Sequence, residues 1–201
     1  VTVISGASEI GQGIDAVITL IVAEELGVPL EHVTLVNNDS DIAPWDVGVH
    51  ASRTTFIAGN GTRRAARKAK AQILAAAEKM LGVAAQDLEL RDGSVVREAD
   101  GTAIIKLDRL LRQMHFQTVP ELVMVTDYYE PKSEPEGAEH ASDHSAAYAH
   151  AVHVAEITVD TLTGEIKVDK VTLAQDVGRV INRMGLEGQV EGGIAIGLGY
   201  A

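Results

Sequence analysis

Three stretches of the 201-residue chain have residue types and spacing suited to chemistry. The first is Gly6-Ala7-Ser8-Glu9-Ile10-Gly11-Gln12-Gly13. Val1-Thr2-Val3-Ile4 ahead of it reads as a buried strand. Behind it, Ile14, Val17, Ile18, Ile21, Val22 and Leu26 recur at helical spacing. Gln12 and the glycines therefore sit on a strand-to-helix turn. Glycine permits a tight bend and a close approach there. The unpaired N–H groups and positive dipole end of the helix suit an anion such as phosphate. A structural turn packed against its own sheet is an equal alternative for these eight residues.

The second stretch is Ala51-Ser52-Arg53-Thr54-Thr55, small and hydroxyl-rich. It offers hydrogen-bond donors without bulk, as a loop around a polar ligand would. A helix N-terminus or a polar turn accounts for it equally well. The third runs from Asp176-Val177-Gly178 through Asn182 to Leu186-Glu187-Gly188-Gln189-Val190-Glu191-Gly192 and on to Gly199. It reads as a helix despite its glycines. Each glycine in a helix interior costs up to ~1 kcal/mol relative to alanine, so the run implies close packing against a helix or a cofactor.

Other candidates are weaker. Arg63, Arg64, Arg67, Lys68 and Lys70 form a basic cluster that reads as a solvated face, with a diphosphate clamp as the alternative. His140 and His144 flank Asp143 at a spacing that suits a metal only on a helix, and no helical pattern surrounds them. His150 and His153 fall on opposite faces of a regular strand and read as core or edge histidines. No Ser/His/Asp, Walker-type or Gly-x-Gly-x-x-Gly dinucleotide pattern is present.

The elements that must position these stretches follow from periodicity and punctuation. The first helix stops at Gly27 and Pro29. Val33–Val36 is a strand, parallel to the first or separated from it by another. Residues 43–61 read as a loop, and a long helix is expected from about Thr62 to Leu81. Its apolar face is Ala66, Ala69, Ile73, Ala76, Ala77 and Met80. Leu88–Val96 forms a hairpin about Asp92-Gly93, continued by Ile104 and Ile105 and by a short helix at Leu107, Leu110 and Leu111. Residues 82–118 thus suggest a small α+β insertion. Leu122–Tyr128 reads as a strand and 130–147 as a long loop. Ala149–Val159 and Glu165–Ala174 form the clearest hairpin.

Net charge is −12, from 17 basic and 29 acidic residues, which argues against nucleic acid or an anionic membrane surface as a partner. No signal peptide opens the chain and no apolar run is long enough to span a bilayer. Aromatics make up only 3%, so Val, Ile, Leu and Ala must build the core. With no cysteine, the chain itself holds no disulfide, thiolate zinc site or cysteine-ligated iron–sulfur cluster. Both ends fall inside apparent elements, as in a fragment or one piece of a larger assembly.

Taken in order, Gly6-x-x-Glu9-x-Gly11-Gln12-Gly13, Ala51-Ser52-Arg53-Thr54-Thr55 and Asp176-Val177-Gly178…Asn182…Glu187-Gly188-Gln189-Val190-Glu191-Gly192 resemble the molybdenum hydroxylases. These are the xanthine dehydrogenase, aldehyde oxidoreductase, carbon monoxide dehydrogenase and 4-hydroxybenzoyl-CoA reductase group. The resemblance covers nearly the whole chain and is nearest to the bacterial three-subunit members. It implies an α+β fold with mixed sheets and packed helices, as part of the molybdopterin-binding domain over residues 1–201. It implies a molybdopterin cofactor with molybdenum, as the cytosine dinucleotide. Gly11 and Gln12 would contact the cofactor from the first loop. Ala51, Ser52, Arg53 and Thr54 would line it through backbone N–H groups, and Gln189 would reach it from the third stretch. A glutamine donates and accepts hydrogen bonds without adding charge beside a diphosphate.

The chemistry implied is hydroxylation of an aldehyde, N-heterocycle or aromatic acyl-CoA with water as oxygen source, or the reverse dehydroxylation. A glutamate accepts the proton, and electrons leave through iron–sulfur clusters on another subunit, with FAD on a further one. That base is expected beyond residue 201, so Glu9, Glu187 and Glu191 are not assigned to it. Expected partners are the iron–sulfur and flavin subunits, the rest of the molybdopterin subunit and a small-molecule substrate. The expected compartment is the cytoplasm, with the periplasm left open. Two alternatives stand beside this reading. One is a non-catalytic α+β scaffold derived from the same fold; the other is a phosphate- or nucleotide-binding enzyme without molybdenum.

Overall fold

The computed structural model describes residues 1–131 and 145–201. The chain divides into two compact units, Val1–Glu130 and Pro131–Ala201. The architecture is α+β: among the described residues there are one parallel sheet and two antiparallel ones, with three α-helices in the first unit and one in the second.

The first unit opens with β1 (Thr2–Ile4), α1 (Ile14–Leu26) and β2 (Thr34–Val36). β1 and β2 pair in parallel, Thr2 opposite Thr34 and Ile4 opposite Val36. The intervening helix makes this a β–α–β unit, the connection that parallel strands require. β1 is not buried as expected. Only Val3 is half-covered, because the two-stranded sheet covers neither face fully. α1 buries Ile14, Val17, Ile18, Val22 and Leu26, and Gly27 caps it in the left-handed conformation at φ 58°.

α2 runs from Thr54 to Leu81, eight residues longer at its start than the sequence suggests. Gly59-Asn60-Gly61 lies inside it. A Cβ at Gly59 would meet Ile21 Cδ1 at 3.2 Å, and one at Gly61 would meet the backbone of Tyr129 at 3.5 Å. These glycines therefore let two neighbours pack closely on the helix, and tertiary contact overrides their low helix propensity. Asn60 is accommodated by donating Nδ2 to the Phe56 carbonyl at 2.7 Å. Further along, α2 buries Ala66, Ile73, Ala76 and Ala77, while Met80 is exposed rather than buried.

β3 (Leu88–Arg91), β4 (Ser94–Arg97) and β5 (Ala103–Lys106) form an antiparallel sheet, and α3 (Leu107–His115) follows. Leu88, Leu90, Val95, Leu107, Leu110 and Met114 join Ile73 and Ala77 of α2 in one core. Residues 121–130 are extended and alternate half-buried with exposed, as a strand does, but have no ladder partner among the described residues. The strand expected at Leu122–Tyr128 is therefore an extended segment lying along α2. Glu121 meets Lys79 at one end, Asp127 meets Arg64 and Lys68, and Tyr129 meets Gly61 at the other.

In the second unit, β6 (His150–Val159) and β7 (Ile166–Asp176) pair antiparallel from His150/Asp176 to Val159/Ile166. Asp160 Oδ1 accepts from Leu162 N at 2.8 Å and Thr163 N at 3.2 Å, which closes the turn. α4 (Arg183–Tyr200) is capped by Asn182, whose Oδ1 accepts from Gly185 N at 3.1 Å. Within this unit, a Cβ at Gly188, Gly192, Gly193, Gly197 or Gly199 would meet nothing within 4 Å. The close packing that the glycine run implied is not made inside the unit. His150 and His153 are exposed on a two-stranded hairpin, not held in a core. His140, Asp143 and His144 lie outside the described residues.

Candidate functional site

The site is best built from the packing of α1 on α2. Ile21 lies against Gly59, and Glu25, one turn later, pairs with Arg63 at 2.8 Å and Arg67 at 3.2 Å. Residue numbers rise together along the contact, so the helices are parallel. Seven residues back from Ile21 and Gly59, about 10 Å at a helical rise of 1.5 Å, are Ile14 and Ser52. The two helix N-termini therefore lie side by side, with their positive dipole ends at one end of the pair. The first two sequence motifs therefore stand at the same end of the pair, and Gly6 of the first meets loop 44–48, which leads into the second.

Each terminus is finished differently. At α1, Glu9 folds back over the first turn. Its Oε1 accepts from Gly11 N at 2.7 Å and Gly13 N at 3.0 Å, and its Oε2 from Asp15 N at 3.2 Å. These bonds, that from Gly13 foremost, hold the Glu9 carboxyl below its ordinary pKa against the opposing effect of burial. The anion expected at this terminus is thus supplied by the chain itself. Gln12 is also engaged within the loop: its Oε1 accepts from Ile10 N at 2.7 Å and its Nε2 donates to the Ser8 carbonyl at 2.9 Å. One N–H and one lone pair of the amide are left for a ligand. Gly11 and Gly13, at φ 101° and 84°, leave open space where a Cβ would project.

At α2, no side chain caps the terminus among the described residues. The chain enters it through Ala51 and Ser52, both left-handed at φ 52° and 53°. Two consecutive non-glycine residues in this region cost roughly 1–2 kcal/mol each, and such strain collects at functional sites. The turn is held by Arg53, whose Nη1 donates to the Gly48 carbonyl at 3.1 Å and faces Asp46 Oδ1 at 3.4 Å. Asp46 in turn accepts from Gly48 N at 2.8 Å. Ala51 and Ser52 are exposed, Arg53 half-buried and Thr54 buried. The same 44–48 loop presses on the first motif, because a Cβ on Gly6 would lie 2.1 Å from the Pro44 carbonyl oxygen. What approaches Gly6 closely is therefore this loop, not a ligand.

Four of the five basic residues of the α2 cluster are committed to ion pairs. Arg63 and Arg67 hold Glu25; Arg64 and Lys68 hold Asp127 at 3.3 and 3.0 Å. In the second unit, Gln189 is exposed on α4, and its neighbour Glu187 pairs with Arg183 at 2.7 Å. A shallow groove between β7 and α4 is lined by Leu173, Gln175, Leu186, Glu187, Val190 and Glu191, and not by Gln189. Among the described residues, no three His, Asp or Glu side chains gather as a metal site, and no helix is long and apolar enough to cross a membrane.

Sequence reasoning missed Glu9 as a clamp, the parallel helix pair and the early start of α2. The Glu9-x-Gly11-x-Gly13 spacing was legible as a carboxylate two and four residues ahead of glycine N–H groups. The helix pairing had no local signal.

The α1 terminus is bordered by glycines and closed by Glu9, and the α2 terminus is entered through a left-handed turn and has no side-chain cap from Arg53. Main-chain N–H groups at such an open end suit an anionic group. The whole chain, residues 1–201, matches the molybdopterin cofactor-binding domain family, and the chain belongs to it. It is 31% identical over 203 residues to the putative xanthine dehydrogenase molybdenum-binding subunit of Escherichia coli K12, covering 100% of this chain and 26% of that one. Its fold matches quinoline 2-oxidoreductase from Pseudomonas putida 86 with TM-score 0.81 and 26% identity, over 96% of this chain and 24% of that one. It also matches the Cu,Mo-CO dehydrogenase with TM-score 0.76 and 29% identity, over 94% of this chain and 22% of that one. The chain thus spans about a quarter of the curated relative it matches.

Proposed function

We propose that this chain is the cofactor-holding portion of a molybdenum-dependent oxidoreductase. The observation that carries the reading is the pairing of two parallel helix N-termini, one neutralised by Glu9 and the other left without a side-chain cap. The residues present fit a pyranopterin with a diphosphate: main-chain donors at a dipole end, small exposed residues at 51–52, and open space over Gly11 and Gly13. In this reading Gln12 meets the cofactor from the first loop with its remaining N–H and lone pair, and Gly11, whose N–H is taken by Glu9, contributes the open space beside it. Ala51, Ser52, Arg53 and Thr54 hold it from the second, and Gln189 from the third. The Arg53 side chain acts on loop 46–48 and its N–H donates to the His50 carbonyl at 3.2 Å, so its share toward the cofactor is to hold the turn that presents Ala51, Ser52 and Thr54. Residues 1–201 are part of one molybdopterin-binding domain, with 82–118 an α+β insertion in it.

When bound, the molybdenum cofactor supplies a two-electron redox centre for hydroxylation with water as the oxygen source, or for the reverse reductive dehydroxylation. The substrate class is an aldehyde, an N-heterocycle or an aromatic acyl-CoA, and the cofactor form is the cytosine dinucleotide. Electrons pass to iron–sulfur clusters on another subunit, beside a flavin subunit, in the cytoplasm. The proton-accepting glutamate is assigned outside residues 1–201. Glu9 is committed to backbone N–H groups and Glu187 to Arg183, which supports leaving both out of the proton transfer.

The test is Gln12→Ala and Gln189→Ala in the intact complex, with pterin and molybdenum measured per chain. Both variants are expected to retain less cofactor than the unsubstituted enzyme. Unchanged content in both would refute the loop assignments.

A further inference from the structure

We propose that Glu9 is the positioning residue of the cofactor loop: its carboxylate is a built-in counter-anion that locks Gly11, Gln12 and Gly13 in their presenting conformation. The inference rests on the cofactor reading above.

Three backbone N–H groups within one loop converge on one side chain, at 2.7, 3.0 and 3.2 Å. Gly11 and Gly13 both sit at positive φ, where glycine is free to move, so nothing in their own backbone fixes them. Gln12 ties the front of the loop to itself through Ser8 and Ile10. Glu9 ties the back of the loop to α1. Asp15, the third donor to Glu9, is itself held, since its Oδ1 accepts from Asn37 Nδ2 in the turn after β2. The chain of bonds therefore runs from the loop through the first turn of α1 to the end of the β1–β2 pair.

Electrostatics give a reason for a carboxylate rather than a neutral cap. α1 and α2 present like dipole ends side by side, and each repels the other. A negative charge over α1 removes that repulsion and leaves α2 as the terminus open to an external anion. The cationic groups of α2 do not compete for Glu9: Arg63 and Arg67 are engaged by Glu25, about 16 Å along α1 from Ile14 at the helical rise, and Arg53 by Asp46 and Gly48.

The experiment compares Glu9→Gln and Glu9→Ala in the intact enzyme complex. Hydrogen exchange of residues 10–15 is followed against residues 88–97 of the β3–β4 hairpin, together with the rate of pterin release. Glutamine keeps one acceptor oxygen and loses the charge. The expected order of exchange over 10–15 is unsubstituted, then glutamine, then alanine. The alanine variant is expected about tenfold or more faster, since losing ionised acceptors removes more than one tenfold step. Pterin release follows the same order, with residues 88–97 unchanged. Partial rescue of release by glutamine distinguishes positioning from a general loss of fold, which would move both segments. Unchanged exchange in Glu9→Ala overturns the clamp. Faster exchange with unchanged pterin release overturns its role toward the cofactor. An unsubstituted complex without pterin overturns the functional reading instead, while the exchange comparison still decides the clamp.

Discussion

Replacing Arg53 with alanine is expected to release the strained turn that leads into α2. The left-handed backbone at Ala51 and Ser52 stores roughly 2–4 kcal/mol in all. Against this stands the bond from Arg53 Nη1 to the Gly48 carbonyl at 3.1 Å, worth about 1.5–3 kcal/mol for a charged donor. The pair with Asp46 at 3.4 Å adds at most about 1 kcal/mol, because both side chains keep about a fifth of their surface in water. The two sides nearly balance, so the turn depends on Arg53. Allowing for solvent, its loss is about 2 kcal/mol, close to a 30-fold shift toward a relaxed loop. Ser52→Gly removes one left-handed penalty and is expected to restore about 1 kcal/mol, roughly fivefold. Hydrogen exchange over residues 46–56 of the intact complex reads both effects, with pterin content as the functional readout. Exchange that is unchanged in Arg53→Ala, or faster still when Ser52→Gly is added, would refute the reasoning.

Two other outcomes follow from packing and titration. Gly6→Ala places a Cβ 2.1 Å from the Pro44 carbonyl oxygen, so loop 44–48 must move. A loss of about 1–3 kcal/mol is expected, read as a lower melting temperature with reduced pterin content; an unchanged melt contradicts the contact. Glu25 and Asp127 titrate below their ordinary values. Burial raises both, but Arg63 and Arg67 outweigh it at Glu25, and Lys68, the Tyr128 N–H and Arg64 outweigh it at Asp127. A depressed carboxylate stabilises the fold at pH above its unfolded pKa, and that contribution is lost as pH falls through the folded value. Acid titration should therefore loosen α1 and segment 121–130 from α2 at pH below the ordinary carboxylate range. Glu25→Gln with Asp127→Asn should flatten that part of the profile; an unaltered acid limb in the double variant would count against it.

Much of the fold was legible because it is local. Gly27 after Leu26 stops α1, Asp92-Gly93 turns the β3–β4 hairpin, and Asp160–Gly164 turns β6 into β7. The departures arise where tertiary contact decides. Gly59 and Gly61 looked like the end of a loop, yet they are buried helix positions shaped by Ile21 and Tyr129. Leu122–Tyr128 has strand-like alternation, yet a strand also needs a partner, which its own sequence cannot supply. For the site, residue types and spacing marked the loops but not the work of each side chain. Gln12 reads as facing a ligand, whereas its side chain also holds its own loop; Arg53 reads as lining the ligand through its backbone N–H, whereas that N–H donates to the His50 carbonyl and its side chain holds loop 46–48. At α1 the choice between an anion site and a structural turn left out Glu9, four residues before Gly13, whose carboxylate takes N–H groups of the loop and first turn.

The most direct measurement is the molybdenum and pterin content of the native complex that contains this chain, purified without added cofactor. Molybdenum and pterin are expected in equal amounts with the chain, the pterin being released only when the loops at Gly11–Gly13 and Ala51–Thr54 are disturbed. A native complex free of both metal and pterin would contradict the cofactor-holding role.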